Sequence, residues 1–150
     1  MLTAINNSKI DISKEESTKE LAESFANHLK GGEIIYLYGE MGVGKTTFIR
    51  YLINKFQKNN NLNLTEITSP TFSLLNEYQI NSIVIKHYDL FRLKDRYEIK
   101  DLNIFESDKK SIILIEWPKL IDKQSIKTID LYFTYENELK NRYVIINGLS

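Results

Sequence analysis

The feature that most constrains the fold is a glycine-rich segment between an apolar run and a pattern of helical spacing. Residues 34–38 are apolar or aromatic, and the residues that follow read GEMGVGKT, which fits the pattern GxxxxGK(S/T). A strand, a tight turn and a helix start in this order are typical of nucleotide-binding α/β proteins. A chance match is disfavoured because both flanking elements are present. The segment therefore predicts an α/β fold with a site for the phosphates of a nucleotide.

Individual residues of this segment have distinct expected roles. Gly39, Gly42 and Gly44 permit backbone conformations closed to residues with a Cβ atom, so that consecutive N–H groups can converge on an anion. Lys45 is expected to reach the β- and γ-phosphates, and the hydroxyl of Thr46 is expected to bind Mg²⁺. The helix that begins near Lys45 adds the positive end of its dipole at the same point.

The composition is that of an ordinary globular protein. The 150 residues are 42% hydrophobic and 27% charged, which predicts a single domain over residues 1–150 with a substantial core. The chain has no cysteine, which excludes disulfides and thiolate metal sites. We expect a cytoplasmic protein with no membrane contact, because the first residues lack a signal-peptide pattern and no apolar run is long enough to span a bilayer.

The charge balance bears on nucleic-acid binding. Twenty basic residues and twenty acidic residues give a net charge of zero. Since neutralisation of phosphates dominates affinity for nucleic acids, tight and independent binding to RNA is disfavoured, although a local basic patch is compatible with this balance.

The order of local patterns predicts a mixed central β-sheet flanked by helices. Helix and strand patterns alternate early, whereas strand patterns pair as hairpins later, one turning at Asn81-Ser82 and one near residues 136–140. A short helix or two is expected within residues 95–106, around Leu102 and Phe105. The predicted strands are 8–13, 34–38, 72–80, 83–90, 111–117 and two within 127–148, and the predicted long helices are 13–30 and 45–58.

The first helix pattern carries its own start signal. Ser13 with Glu16 three residues later forms a capping-box pattern, which predicts that the Ser13 side chain caps the helix. Leu21, Phe25 and His28 fall at helical spacing, so His28 is expected on the buried face.

A carboxylate ends the most apolar strand pattern. Residues 112–115 are aliphatic and Glu116 follows them directly, as expected for a strand buried on both faces of a sheet. Phosphoryl transfer needs an acidic group that holds or orients Mg²⁺. Glu116 is therefore expected to face the metal directly or through water; the alternative is an ordinary acidic residue at a strand end.

Asp89 ends another strand pattern, in IVIKHYDLFRL. It is expected either to orient the attacking water or to belong to the metal shell. Arg92 is expected to pair with a phosphate or with Asp89 itself. His87 is a less favoured candidate base, because a histidine within a strand is more often a hydrogen-bonded structural residue.

Three further residues have open roles. Ser69 and Thr71 flank a proline between a polar loop and a strand, so their hydroxyls either sense the nucleotide as a switch loop does or cap a turn fixed by the proline. Trp117 directly follows Glu116 and is compatible with a core, base-stacking or partner-contact role.

Four motifs together strongly resemble the bacterial TsaE family. They read GEMGVGKTTF, ITSPTFSLLNEY, HYDLFRL and LIEWP, and they occur in the order and spacing of that family over nearly the whole chain. The family consists of small P-loop ATPases of the machinery that makes threonylcarbamoyladenosine in transfer RNA. Val43 stands where the family usually has alanine and Phe91 where tyrosine is common, and both changes keep the chemistry.

The resemblance implies residue roles. Thr46 and Glu116 would bind Mg²⁺, and Asp89 matches an aspartate that faces the nucleotide and is needed for turnover. Glu15 and Arg142 would lie near the adenosine. The residues that would wrap the ATP phosphates are Gly42, Val43, Gly44, Lys45, Thr46 and Thr47.

The resemblance also implies partners. The TsaD–TsaB pair transfers the threonylcarbamoyl group, and the TsaE component supports repeated rounds of that transfer through ATP hydrolysis without making the transfer itself. Contact with transfer RNA is then expected only through the complex, which agrees with the zero net charge.

Other classes of nucleotide-binding protein are less favoured. A small-molecule kinase is the main alternative, but its arginine-bearing lid is not evident, since Arg50, Arg92, Arg96 and Arg142 are scattered. A GTPase would show an N/T-K-x-D motif, whereas Asn54-Lys55 lies within the predicted second helix and lacks the aspartate. A module that binds nucleotide without hydrolysing it is distinguished only by measurement of hydrolysis.

Overall fold

A seven-stranded β-sheet forms the centre of the computed structural model, which describes residues 2–106, 110–122 and 126–149. A 3₁₀ turn at Pro118–Leu120 follows the fifth strand. In chain order the strands and α-helices are β1 (Lys9–Asp11), α1 (Glu15–Ala26), β2 (Ile34–Tyr38), α2 (Lys45–Asn59), β3 (Leu75–Ile80), β4 (Ile83–Asp89), α3 (Arg96–Lys100), β5 (Ile112–Glu116), β6 (Ile129–Glu136) and β7 (Asn141–Asn147).

The sheet is mixed, with a parallel centre and antiparallel edges. Its strand order is β1-β7-β6-β2-β5-β4-β3. The four central strands β6, β2, β5 and β4 are parallel to one another, whereas β3, β7 and β1 pair antiparallel with their neighbours. The predicted α/β class and the mixed central sheet flanked by helices are confirmed; the single domain over residues 1–150 stays a prediction.

Helices α1 and α2 cover one face of the sheet. Alternation along β2 turns Ile35 and Leu37 toward these helices, and both side chains are fully buried. Phe25 of α1 and Phe48 of α2 meet edge to face with ring centroids 5.6 Å apart. Phe48 also contacts Phe133 of β6 at 5.8 Å, so one aromatic ring joins both helices to the sheet.

The opposite face carries a smaller core under α3 and the turns that follow it. Tyr36 of β2 and Ile113 and Ile115 of β5 point to this side and pack with Ile99 and Ile104. Because β5 contacts a hydrophobic cluster on each face, all five of its residues are buried, as its continuous apolar pattern predicts.

The register of the central strands brings the candidate site residues together. Glu116 at the end of β5 lies beside Leu37 of β2 on one side and beside Asp89 of β4 on the other. The glycine-rich loop, residues 39–44, leaves the same edge after β2. Because parallel strands end at one edge of a sheet, that edge is where α/β proteins place their ligands.

Two local predictions are wrong. Helix α1 begins at Glu15 with Lys14 at the N-cap, and no side chain caps it, because the Ser13 hydroxyl instead accepts a hydrogen bond from the Arg142 backbone N–H (3.0 Å). The helix ends at Ala26, so His28 lies beyond it and is exposed. A third prediction, a short helix or two within residues 95–106, is confirmed by α3, which ends before Leu102 and Phe105. No helix within the described residues is long and apolar enough to cross a membrane.

Candidate functional site

The glycine-rich loop turns the chain from β2 into α2 with its backbone facing an open cavity. Gly44 is the N-cap of α2 with φ 113°, and Gly42 has φ 83°; both values lie in the region that residues with a Cβ rarely adopt. Tyr135 of β6 donates its hydroxyl hydrogen to the Gly42 carbonyl oxygen at 2.5 Å. Tyr135 therefore holds the loop from the side of β6, while the first N–H groups of α2 remain available to an anion.

Lys45 is the first residue of α2, and its side chain is buried at the loop. The ammonium donates a hydrogen bond to the Gly39 carbonyl oxygen, and Nζ lies 3.6 Å from the centre of the Trp117 ring. Burial lowers the pKa of Lys45, and the charges of Glu116 and Asp89 oppose that shift. The cation is thus held between backbone, aromatic and acidic groups of the protein itself.

Glu116 faces the start of α2, as the sequence predicts. Its side chain is buried, and the Thr46 hydroxyl lies 3.3 Å from each of its carboxylate oxygens. His87 of β4 brings Nε2 to 2.7 Å from Oε2 of the same carboxylate. Contacts from α2 and β4 to this carboxylate weigh against the alternative of an ordinary acidic residue at a strand end.

Asp89 gathers donors from two loops. Its Oδ2 accepts hydrogen bonds from Ser69 (2.9 Å) and Thr71 (3.1 Å), and its Oδ1 accepts one from the Phe91 backbone N–H (3.0 Å). The two hydroxyls also lie 2.9 Å from each other. The Ser69 and Thr71 hydroxyls are therefore bound to a carboxylate of the site, so they do more than cap a proline turn.

Arg92 forms hydrogen bonds with backbone carbonyl groups and not with Asp89. Its Nε donates to the Thr71 carbonyl oxygen at 3.1 Å, and a terminal nitrogen donates to that of Phe72 at 2.5 Å. Both bonds hold the loop that carries the Asp89 ligands, and they leave the Phe72 ring 86% exposed. These contacts do not include the pairing with Asp89 that was one of the two expected roles; pairing with a phosphate stays a prediction.

Arg142 closes the side of the cavity that lies next to β1 and α1. Its guanidinium donates to the Ser13 carbonyl oxygen at 3.1 Å, and the Ile12 backbone N–H donates to the Arg142 carbonyl oxygen at 2.9 Å. Glu15 follows Ser13 by two residues along the chain. Its side chain does not face the cavity, because its carboxylate accepts a hydrogen bond from the Tyr51 hydroxyl (2.7 Å).

These groups surround one cavity of about 300 Å³. Glu15 and Val43 do not line it: Glu15 contacts Tyr51, and the Val43 side chain is buried in the core. Tyr135 had no signal in the sequence, because its contact with the loop depends on β6 lying beside β2. The predicted residues that do line the cavity are Gly42, Gly44, Lys45, Thr46, Thr47, Asp89, Glu116 and Arg142, together with Ser69, Thr71 and Trp117.

The donor set fits a magnesium ion bound together with phosphates. Within the described ranges, no three His, Cys, Asp or Glu side chains are placed to hold a metal by themselves. Mg²⁺ in nucleotide sites takes one or two carboxylates and completes its shell with phosphate oxygens and water. The Thr46 hydroxyl and the Glu116 carboxylate are oxygen donors of that kind, side by side at the start of α2. They are the residues that would hold the ion.

Comparison with known proteins decides the family. The sequence model of a family described as "Threonylcarbamoyl adenosine biosynthesis protein TsaE" matches residues 12–144. The chain belongs to the TsaE family. This confirms the resemblance seen in the four motifs.

Individual TsaE proteins differ in how far the match extends. The chain is 44% identical over 110 residues to the tRNA threonylcarbamoyladenosine biosynthesis protein TsaE of Rickettsia felis, a match covering 73% of this chain and 62% of that protein. It is 34% identical over 134 residues to the protein of the same name from Aquifex aeolicus, covering 89% and 93%. The chain thus spans less than two thirds of the Rickettsia felis relative and nearly all of the Aquifex aeolicus one.

A solved structure has the same fold. The crystal structure of YdiB from Bacillus subtilis superposes with a TM-score of 0.70 over 99% of this chain and 90% of that one, at 21% sequence identity. At that identity the likeness bears on the fold alone.

Proposed function

We propose that the chain binds ATP with Mg²⁺ and hydrolyses it, as the nucleotide-dependent component of threonylcarbamoyladenosine synthesis in transfer RNA. The observation that carries the proposal is the convergence of Lys45, Thr46, Asp89 and Glu116 on one cavity at the start of α2, in a chain of the TsaE family. A phosphate cradle, a metal-binding pair and a second carboxylate are the parts that hydrolysis of a nucleoside triphosphate requires.

Each group has a proposed task in the reaction. The backbone of residues 42–47 binds the phosphates, and Lys45 exchanges its contact with the Gly39 carbonyl for phosphate oxygens. Thr46 and Glu116 would hold Mg²⁺, which would supply positive charge to offset that of the phosphates. Asp89 orients the attacking water, and the Ser69 and Thr71 hydroxyls orient Asp89.

The proposed partners are the TsaD–TsaB pair, with transfer RNA contacted only through that complex. Turnover by the isolated chain is expected to be slow, because the cavity is open to water on one side and the loop at residues 69–72 lies at the surface. A docked partner would exclude that water and complete the site. The chemistry of threonylcarbamoyl transfer is assigned to the partners.

The test is ATP turnover by the purified chain, alone and then with the TsaD–TsaB pair and transfer RNA. We expect stimulated hydrolysis and sustained modification over many rounds. The Glu116→Gln variant tests the role of the carboxylate, because it removes the charge and keeps the size of the side chain. It should lose Mg²⁺-dependent turnover while it retains some nucleotide affinity. Strong turnover that is unchanged by addition of the partners would instead favour a small-molecule kinase, and its acceptor would then be sought.

A further inference from the structure

His87 is a fully buried polar residue with no task in the proposed hydrolysis. Its side chain has no exposed surface, and Nε2 lies 2.7 Å from Oε2 of Glu116. The other ring nitrogen, Nδ1, has no hydrogen-bond partner among the described residues. A buried imidazole with one nitrogen on a site carboxylate and one nitrogen unpaired is unusual, since buried polar atoms are normally satisfied.

The parallel pairing of β4 and β5 places this ring beside the site. Asp89 lies directly opposite Glu116 in the register, and His87 lies opposite Leu114. Because side chains alternate along a strand, His87 and Asp89 share the face on which Leu114 and Glu116 also lie. That face is covered by α2, which begins at the glycine-rich loop. The His87 ring therefore approaches Glu116 from the core side, behind the carboxylate.

The contact between Nε2 and Oε2 of Glu116 requires a hydrogen on the ring nitrogen. A carboxylate oxygen accepts and an imidazole N–H donates, so a ring that carries a hydrogen on Nε2 forms a hydrogen bond at the observed 2.7 Å. A ring without that hydrogen would instead bring two lone pairs to this distance. The contact thus favours Nε2–H as the donor to Glu116.

We propose that His87 is a positioning residue for the metal site. Its Nε2–H binds Oε2 of Glu116 and so fixes the carboxylate against rotation, which keeps both carboxylate oxygens 3.3 Å from the Thr46 hydroxyl, beside the place of the ion. This proposal rests on the proposed function, because it assigns Mg²⁺ to Thr46 and Glu116. Hydrogen bonds of this kind to a ligating group typically change metal affinity by about 10- to 100-fold.

A matched pair of variants isolates the hydrogen bond. His87→Gln retains an N–H donor at the end of a side chain of similar reach, whereas His87→Leu places an apolar side chain there and removes the donor. The chain has a single tryptophan, and it is Trp117, whose ring lies against Nζ of Lys45. Its fluorescence therefore reports occupation of the cavity without any need for turnover.

The experiment titrates Mg²⁺ at a fixed concentration of a non-hydrolysable ATP analogue and follows Trp117 fluorescence. We expect the Mg²⁺ concentration at half-saturation to be at least about tenfold higher for His87→Leu than for the native chain. Its affinity for the analogue without Mg²⁺ should match that of the native chain, and His87→Gln should restore most of the native Mg²⁺ dependence. Equal Mg²⁺ midpoints in the native chain and His87→Leu would overturn the proposal, and so would a glutamine variant as impaired as the leucine variant.

The native chain separates this inference from the function on which it rests. If native binding of the analogue does not depend on Mg²⁺, the proposed function fails and the role of His87 fails with it. If native binding depends on Mg²⁺ and His87→Leu does not change that dependence, only the inference fails.

A measurement on the native protein covers the case in which the leucine variant does not fold. Nitrogen-15 NMR of the imidazoles distinguishes the two tautomers directly. The chain has two histidines, and His28 is exposed, so a His28→Gln variant assigns the signals. A hydrogen on Nε2 of His87 is the expected result; an Nε2 that carries no hydrogen overturns the proposal.

Discussion

At the scale of single residues, Lys45 already has partners within the protein. Its ammonium is bound to the Gly39 carbonyl oxygen and lies over the Trp117 ring. Binding of a phosphate at this lysine is therefore an exchange of contacts, and only the difference between the old and new contacts contributes to affinity. The charge of the lysine still favours a phosphate over a neutral carbonyl.

We predict that Lys45→Ala weakens nucleotide binding by about 10- to 100-fold, the range expected from loss of a charge-assisted hydrogen bond. Lys58→Ala is the matched control, because Lys58 is exposed in the last turn of the same helix. Isothermal titration with an ATP analogue measures both variants. Native affinity in Lys45→Ala would mean that the ammonium does not reach the phosphates.

The sequence was sufficient to predict the roles of some site residues and not of others. Glu116 was predictable because a continuous apolar strand ends in one carboxylate, which the sequence displays directly. The contacts of Asp89 with Ser69 and Thr71 were not, since they join positions 18 and 20 residues apart through the geometry of a loop. The contacts of Arg92 with a loop carbonyl and of His87 with Glu116 could not be predicted, because they depend on the path of the loop and on the strand register.

At the scale of elements, the loop at residues 69–72 is attached to the end of β4 by side chains. Ser69 and Thr71 donate to Asp89, and Arg92 binds the carbonyl groups of the same loop. The loop and the carboxylate therefore move together if either moves. In GTPases, switch loops are ordered by contacts with the γ-phosphate and released on hydrolysis.

We predict that the double variant Ser69→Ala, Thr71→Val lowers the turnover number at saturating ATP by about tenfold or more, because Asp89 loses two donors that fix its orientation. Ser73→Ala is the control: Ser73 lies in the same loop region, and its hydroxyl is directed to Asn76 instead (3.5 Å). Steady-state kinetics with the partner complex present gives both values. An unchanged turnover number in the double variant would show that the hydroxyls have no part in orienting Asp89.

The elements themselves followed from local patterns, apart from their ends. The runs of β2 and β5 and the periodicity of α2 sufficed to predict those elements close to their observed bounds. The start of α1 was wrong because the Ser13 hydroxyl has a competing partner in the backbone of Arg142, 129 residues away. A capping signal is local, and a long-range contact overrides it.

At the scale of the whole molecule, one aromatic cluster links three elements. The Phe48 ring is fully buried and contacts Phe25 of α1 and Phe133 of β6. It lies about one turn from the start of α2, so the packing that stabilises the fold also holds the helix whose N-terminus forms the site.

We predict that Phe48→Ala lowers the free energy of unfolding by about 3–5 kcal/mol, through lost burial and the cavity it leaves. Phe72→Ala makes the same chemical change at a ring that is 86% exposed and should have little effect. Urea unfolding followed by circular dichroism compares the two variants. Equal losses would show that the two rings do not differ in burial.

The pairing of β1 with β7 has a consequence for how the chain can be connected. The Leu149 backbone N–H donates to the Asn6 side chain at 3.3 Å, and the strands beside these residues are paired in register. A circular permutant that joins these neighbouring segments and opens the exposed turn at 137–140 would retain every strand pair. It would make the β1–β7 pairing local and the β6–β7 pairing distant. The edge of the sheet would then form early, and the β6–β7 pair beside the glycine-rich loop would close last.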